Sequence, residues 1–125
     1  TGSERGCLFM RDIKLYLKDI LESIESIEKF VDGIDFETFK NDDMRISAVI
    51  RKFEIIGEAS KKIPQDIKQK YISIPWSDMA GMRDRLIHFY FGIKYELVWE
   101  TIKNDIPRIK PLIRKMIENM GSVPN

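Results

Sequence analysis

Arg83-Asp84-Arg85-Leu86-Ile87-His88-Phe89-Tyr90 brings two arginines, a carboxylate, the chain's only histidine and a tyrosine into eight consecutive residues, interleaved with strong hydrophobes. Histidine is the side chain whose ordinary pKa suits proton transfer near neutral pH. Arginine forks onto phosphate oxygens and stabilises the charge that builds up in phosphoryl transfer. A tyrosine can stack on a base, donate a hydrogen bond or carry a covalent modification. No acidic cluster accompanies this window to hold the magnesium ions of a two-metal nuclease, whereas RNA supplies its own nucleophile in the 2′-hydroxyl. Histidine with arginine could therefore suffice for metal-free RNA cleavage. The plainer alternative is a structural pairing, since paired polar groups also serve folds.

If the window is one helix, its geometry sorts these groups. Asp84 and His88 stand at i and i+4 and share a face, where the carboxylate can orient the imidazole and favour its protonated form. Arg83 and His88 are five apart, about 140° around the helix, and point in different directions. Either the helix ends between them, or a second copy of the chain brings the two groups together in a symmetric dimer.

The elements that must position this window are legible as apolar stripes. Ile13, Leu17, Ile20, Ile24, Ile27 and Val31 recur at three- and four-residue spacing and predict a long helix that Gly33 ends. Ile46, Val49, Phe53, Ile56, Ala59 and Ile63 predict a second, capped by Asn41, Asp42 or Asp43 and stopped by Pro64. A short helix fits between Pro64 and Tyr71. Another starts at Pro75-Trp76-Ser77 and carries Met79, Met82, Leu86 and Ile87 towards Gly92. Val98, Ile102, Ile106, Ile109, Ile113 and Met116 mark the last, from Lys94 to Met120, with a kink or break expected near Asn104-Asp105 because Pro107 lacks a backbone donor. No segment alternates with period two. The prediction is an all-α, up-and-down bundle of four to five helices.

Composition bounds the rest. The chain has 125 residues and a mass of 14.7 kDa, enough for one domain. We expect a flexible N-terminus over residues 1–7, a single helical domain over 8–120 and a flexible C-terminus over 121–125. Hydrophobic residues at 43% and charged residues at 33% argue for a globular domain and against disorder. No apolar run reaches the ~18 residues of a membrane span. Lys plus Arg is 21 against 20 for Asp plus Glu, which disfavours a protein that coats DNA. Cys7 stands alone, suiting a reducing cytosol, and the start of the chain lacks a secretory apolar core, so a cytoplasmic location is expected. Residues 19–43 carry a net charge of −7 and residues 103–115 a net +4. These are either solvated helix faces or surfaces for charged partners.

Arg83 to His88 forms R-x-x-x-x-H, which resembles the active-site motif of HEPN-domain ribonucleases. Extended to Tyr90 as R-x-x-x-x-H-x-Y, it resembles the HepT subgroup, the toxins of HepT–MntA (type VII) toxin–antitoxin systems. Ile55-Ile56-Gly57-Glu58-Ala59, Ile74-Pro75-Trp76, Gly81-Met82-Arg83-Asp84 and Tyr90-Phe91-Gly92-Ile93 fit that family's pattern in order, over roughly residues 8–118. The resemblance implies a HEPN-like homodimer with the two motifs facing each other, acting as a metal-independent endoribonuclease that needs no cofactor. It implies catalytic roles for Arg83 and His88 and a supporting role for Asp84. It also implies that Tyr90 is the residue to which a minimal nucleotidyltransferase antitoxin, MntA, transfers AMP. Such a group would add bulk and charge where RNA phosphate must sit. Lys94 departs from the aspartate frequent at that position in relatives and forfeits a helix cap.

Other residues carry lesser expectations. Glu58 sits in an apolar run, where it would need a cation such as Arg83 or Arg45, and is expected to support the site structurally. Arg85 is a candidate RNA contact or a surface charge. Trp76 reads as a packing anchor, and Phe89 and Phe91 as packing residues. The rival function is a non-catalytic helical binding subunit of a nucleotidyltransferase complex, which the near-neutral charge mildly favours.

Overall fold

The computed structural model describes residues 2–88 and 92–121, with side chains from residue 9 onward. The fold is all-α. Helix α1 spans Gly2–Val31, α2 Phe36–Lys40, α3 Asp43–Lys61, α4 Gln65–Lys70, α5 Trp76–Ala80 and α6 Met82–Leu86. Two short strands follow, β1 (Ile87–His88) and β2 (Gly92–Ile93). Then come α7 (Tyr95–Glu100), a π-helical turn (Thr101–Asp105) and α8 (Ile106–Gly121).

The stripes read from the sequence are the core. Ile13, Leu17, Ile20, Ile24, Ile27 and Val31 on α1 are buried against Ile46, Val49, Phe53 and Ile56 on α3 and Ile106, Ile109, Ile113 and Met116 on α8. Each fully buried large apolar side chain contributes about 1.5–3 kcal/mol relative to exposure. α1 packs along α3 and α8, while α5 and α6 lean chiefly on α3, which makes α3 the support of the Arg83 window. α1 continues to Gly2, well ahead of its stripe.

Local chemistry sets the ends. Gly33 follows α1 at φ +73°, a left-handed conformation that most side chains resist. Asp42, among the three candidates, caps α3 by accepting from the backbone N–H of Arg45 at 3.0 Å. Asp35 caps the short α2, which no stripe announced, by accepting from Thr38 N–H at 2.9 Å. These N–H bonds are the leading reason that both carboxyls lie below the ordinary aspartate value of 3.8. A lowered folded pKa means that each cap stabilises fully above that ordinary value and fades as the pH falls through the lowered one. The acid side of a pH–stability curve should therefore be shallower in Asp42→Ala than in wild type. Parallel curves measured by thermal melting would count against a capping contribution from Asp42.

The break expected near Asn104-Asp105 takes a different form. The helix does not stop but widens into the π-helical turn, closed by Ile106 N–H donating to Thr101 C=O. Pro107 lacks the donor an α-helix would use towards Lys103 C=O, and Thr101 Oγ1 donates back to Leu97 C=O at 2.7 Å. A π-turn absorbs such a fault without interrupting the apolar stripe.

Part of the charge segregation is satisfied within the chain. Lys110 Nζ lies 2.7 Å from Glu28 Oε1, and Arg114 Nη2 lies 3.6 Å from Glu25 Oε2, joining α8 to α1. The more exposed Arg114–Glu25 pair contributes about 0–1 kcal/mol. Among the described residues, no helix is long and apolar enough to cross a membrane.

Candidate active site

The helix expected to start at Pro75 and run towards Gly92 is interrupted twice. Gly81 separates α5 from α6, and α6 ends at Leu86, where Ile87 turns extended at φ −122°, ψ 122°. The run Ile87-His88-Phe89-Tyr90-Phe91-Gly92 is β-branched and aromatic and closes on a glycine, a composition that favours strands. Ile87 pairs with Ile93 and His88 with Gly92 in antiparallel register, and Lys94 N–H donates to Leu86 C=O at 2.9 Å. Gly92 turns at φ +78°. Of the two options the spacing left for Arg83 and His88, the helix does end between them. The helical face predicted for Asp84 and His88 is accordingly absent. Asp84 is on α6, His88 is half-buried on β1, and the Asp84 carboxylate lies 3.5 Å from Arg83 Nη1. Tyr90, with Phe89 and Phe91, lies outside the described residues.

Arg83 enters a cleft of about 300 Å³ lined by Arg51, Glu54, Gly57, Glu58, Lys61, Ala80 and Asp84. Its Nε is 3.6 Å from Glu54 Oε1. Glu54 was not singled out by sequence reasoning, although it stands three residues after Arg51 on the α3 face opposite the stripe. Glu58 was expected to be buried and paired with Arg83 or Arg45. Instead its side chain is 68% exposed and faces Lys61 Nζ at 3.4 Å. Between Ile56 and Ala59, which point inward, the helical phase turns Glu58 outward. Arg45 is engaged elsewhere, by Asp42 and by the Phe30 carbonyl. Arg85 turns away from the cleft towards Asp78, with Nη1 3.4 Å from Oδ1 and Nη2 donating to the backbone carbonyl at 3.1 Å.

The cleft thus gathers Arg83, Asp84 and Glu58 from the expected set and leaves His88 and Arg85 outside its lining. Its carboxylates are each opposed by a cation: Glu54 by Arg51 and Arg83, Glu58 by Lys61, Asp84 by Arg83. Among the described residues, no group of three or more His, Cys, Asp or Glu is arranged to hold a metal ion.

Gly57 makes this arrangement possible. A Cβ on Gly57 would lie 3.1 Å from Ala80 O and 3.5 Å from Met79 O, so α5 ends directly against α3 because that position has no side chain. Trp76 anchors the other end of α5, buried, with Nε1 donating to Tyr71 C=O at 3.2 Å. Lys94 precedes α7 without a side-chain cap, as its residue type led us to expect.

The domain is thus all-α, with Arg51 and Arg83 in a cleft between α3 and α6 and the short strand bearing His88 directly after α6. Comparison with known proteins gives its class. The family model described as Ribonuclease HepT-like matches residues 20–116. "Putative RNase MJ0125" of Methanocaldococcus jannaschii is 51% identical over 110 residues, covering 88% of this chain and 95% of its own. "Probable ribonuclease HepT" of Thermococcus cleftensis is 52% identical over 106 residues, covering 85% of this chain and 96% of its own. The chain belongs to the HepT-like ribonuclease family. Comparison with solved structures returned no match.

Proposed function

We propose that this protein is a metal-independent endoribonuclease toxin of a HEPN/MNT, type VII system, working in the cytoplasm as a homodimer. Arg83 holds and stabilises the scissile phosphate, and His88 moves the proton of the 2′-hydroxyl or of the leaving oxygen. The observation that carries this reading is the termination of α6 at Leu86, which places the arginine and the histidine on two adjoining elements instead of opposite sides of one helix. A metal-free route is supported by the cation facing each cleft carboxylate and by the nucleophile that RNA itself brings. A second copy is supported by His88 lying outside the cleft that Arg83 enters, so that arginine and histidine from two chains would complete a composite site at the dimer interface. In this reading Asp84 tunes Arg83 through their ion pair, and Glu58 helps to shape the cleft mouth.

Control would fall on Tyr90. A minimal nucleotidyltransferase of the MntA type would transfer AMP to its hydroxyl, adding bulk and a phosphodiester charge that would repel RNA phosphate. Co-expression with the cognate nucleotidyltransferase should add one or more AMP masses to the intact protein, with none in Tyr90→Phe. A mass unchanged after incubation with an active partner and ATP removes this part of the reading.

A further inference from the structure

We propose that Glu54 is a positioning residue that holds Arg51 and Arg83 as a two-guanidinium clamp for neighbouring phosphates of an RNA strand in the cleft between α3 and the α5–α6 joint. The clamp rests on the ribonuclease reading and adds to it the path of the substrate. Glu54 is partly buried, and its two oxygens serve two arginines. Oε2 accepts from Arg51 Nη1 at 3.3 Å, within α3, and Oε1 lies 3.6 Å from Arg83 Nε, which arrives from α6. One carboxylate therefore ties together cations from two elements that share no other ion pair among those described. Without it, two like charges at one cleft would repel and their flexible side chains would spread over many rotamers.

The remaining donors stay available. Arg51 is held through Nη1, and Arg83 through Nε and Nη1, of the five N–H donors each guanidinium carries. Both side chains remain substantially exposed, at 68% for Arg51 and 44% for Arg83. Gly57 and Ala80 line the same cleft with little side-chain bulk, which leaves space for a strand, and Lys61 adds a further cation. Glu54 has two opposed effects on RNA. Its charge weakens attraction for the strand, while its grip orients the donors. Kinetics separate these effects, since the first acts on KM and the second on kcat.

Cleavage and binding of a fluorescein-labelled single-stranded RNA would be followed in excess chelator for wild type, Glu54→Ala, Glu54→Gln, Arg51→Ala, Arg83→Ala and the Arg51/Arg83 double variant. Thermal melting confirms that each is folded. Glu54→Ala should lower kcat by about 10- to 100-fold through misplacement of Arg83, with KM unchanged or lower. Glu54→Gln, which keeps the shape and one acceptor, should recover part of the loss. Arg51→Ala should raise KM and Kd several-fold and reduce the salt slope of binding by about 0.7, while kcat is largely kept. The Arg51 and Arg83 losses in Kd should be coupled in wild type and become additive in the Glu54→Ala background. A Glu54→Ala variant with wild-type kcat, an Arg51→Ala variant with an unchanged salt slope, or additive arginine losses in wild type would each overturn the clamp. Arginine-dependent, coupled binding without cleavage would sink the ribonuclease reading and leave the clamp standing. Cleavage with binding indifferent to Arg51 would do the reverse.

Discussion

His88→Ala should lower RNA cleavage by about 10²–10⁴-fold, the range that a positioned general acid or base contributes, while leaving a folded protein. The fold should tolerate the change because His88 is only half-buried, sits on a two-residue strand and is not one of the buried core residues. Arg83→Ala should lose cleavage to a comparable extent. Arg83→Lys should fall between, because an ammonium keeps the charge but loses the planar fork that contacts a phosphate and Glu54 together. Cleavage assays in excess chelator, with the intact mass of each preparation recorded, decide the matter. Full activity in His88→Ala would remove the histidine from the mechanism. Inactivity of an unmodified, dimeric wild type on several RNA classes would favour the binding-subunit alternative. Inactivity together with an added AMP mass would mean that the protein had been isolated in a silenced form.

Gly57→Leu should reduce stability by about 1–3 kcal/mol, the usual cost of forcing atoms into a packed contact, and should reduce cleavage by more than the unfolded fraction explains. A Cβ alone would stand 3.1 Å from the Ala80 carbonyl oxygen, and that atom belongs to the backbone at the end of α5 and cannot rotate aside. Relief requires α5 to move away from α3. That movement carries Gly81 and α6 with it and separates Arg83 from Glu54, which are only 3.6 Å apart. Gly57→Ala should show the same trend more weakly. Chemical denaturation gives the stability change, and single-turnover cleavage of the folded fraction gives the second effect. Wild-type melting together with wild-type cleavage in Gly57→Leu would show that α3 and α5 can part freely and that this contact does not position Arg83.

The sequence by itself determined the framework. Three- and four-residue spacing of isoleucine, leucine, valine and phenylalanine selects helices, because burying a stripe of that period is the main way such a chain gains stability. Each long stripe is indeed buried. Gly33, Pro64 and the aspartate at position 42 end or begin helices through chemistry that acts within one turn, so they too were legible. So was the window holding Arg83 and His88, since only the identity and order of residues were needed to see it. What tertiary structure alone decided were the partners. Glu58 and Glu54 sit four apart on α3 and look interchangeable in the sequence, yet the angle at which α5–α6 crosses α3 brings Arg83 to Glu54 and leaves Glu58 to Lys61. The end of α6 at Leu86 is likewise a balance between helix and strand, settled when Ile87 can pair with Ile93. Period and capping act over a few residues and are written in order along the chain. Ion pairs and strand pairs join residues distant in sequence, and only the packed fold determines which of several suitable partners comes within reach.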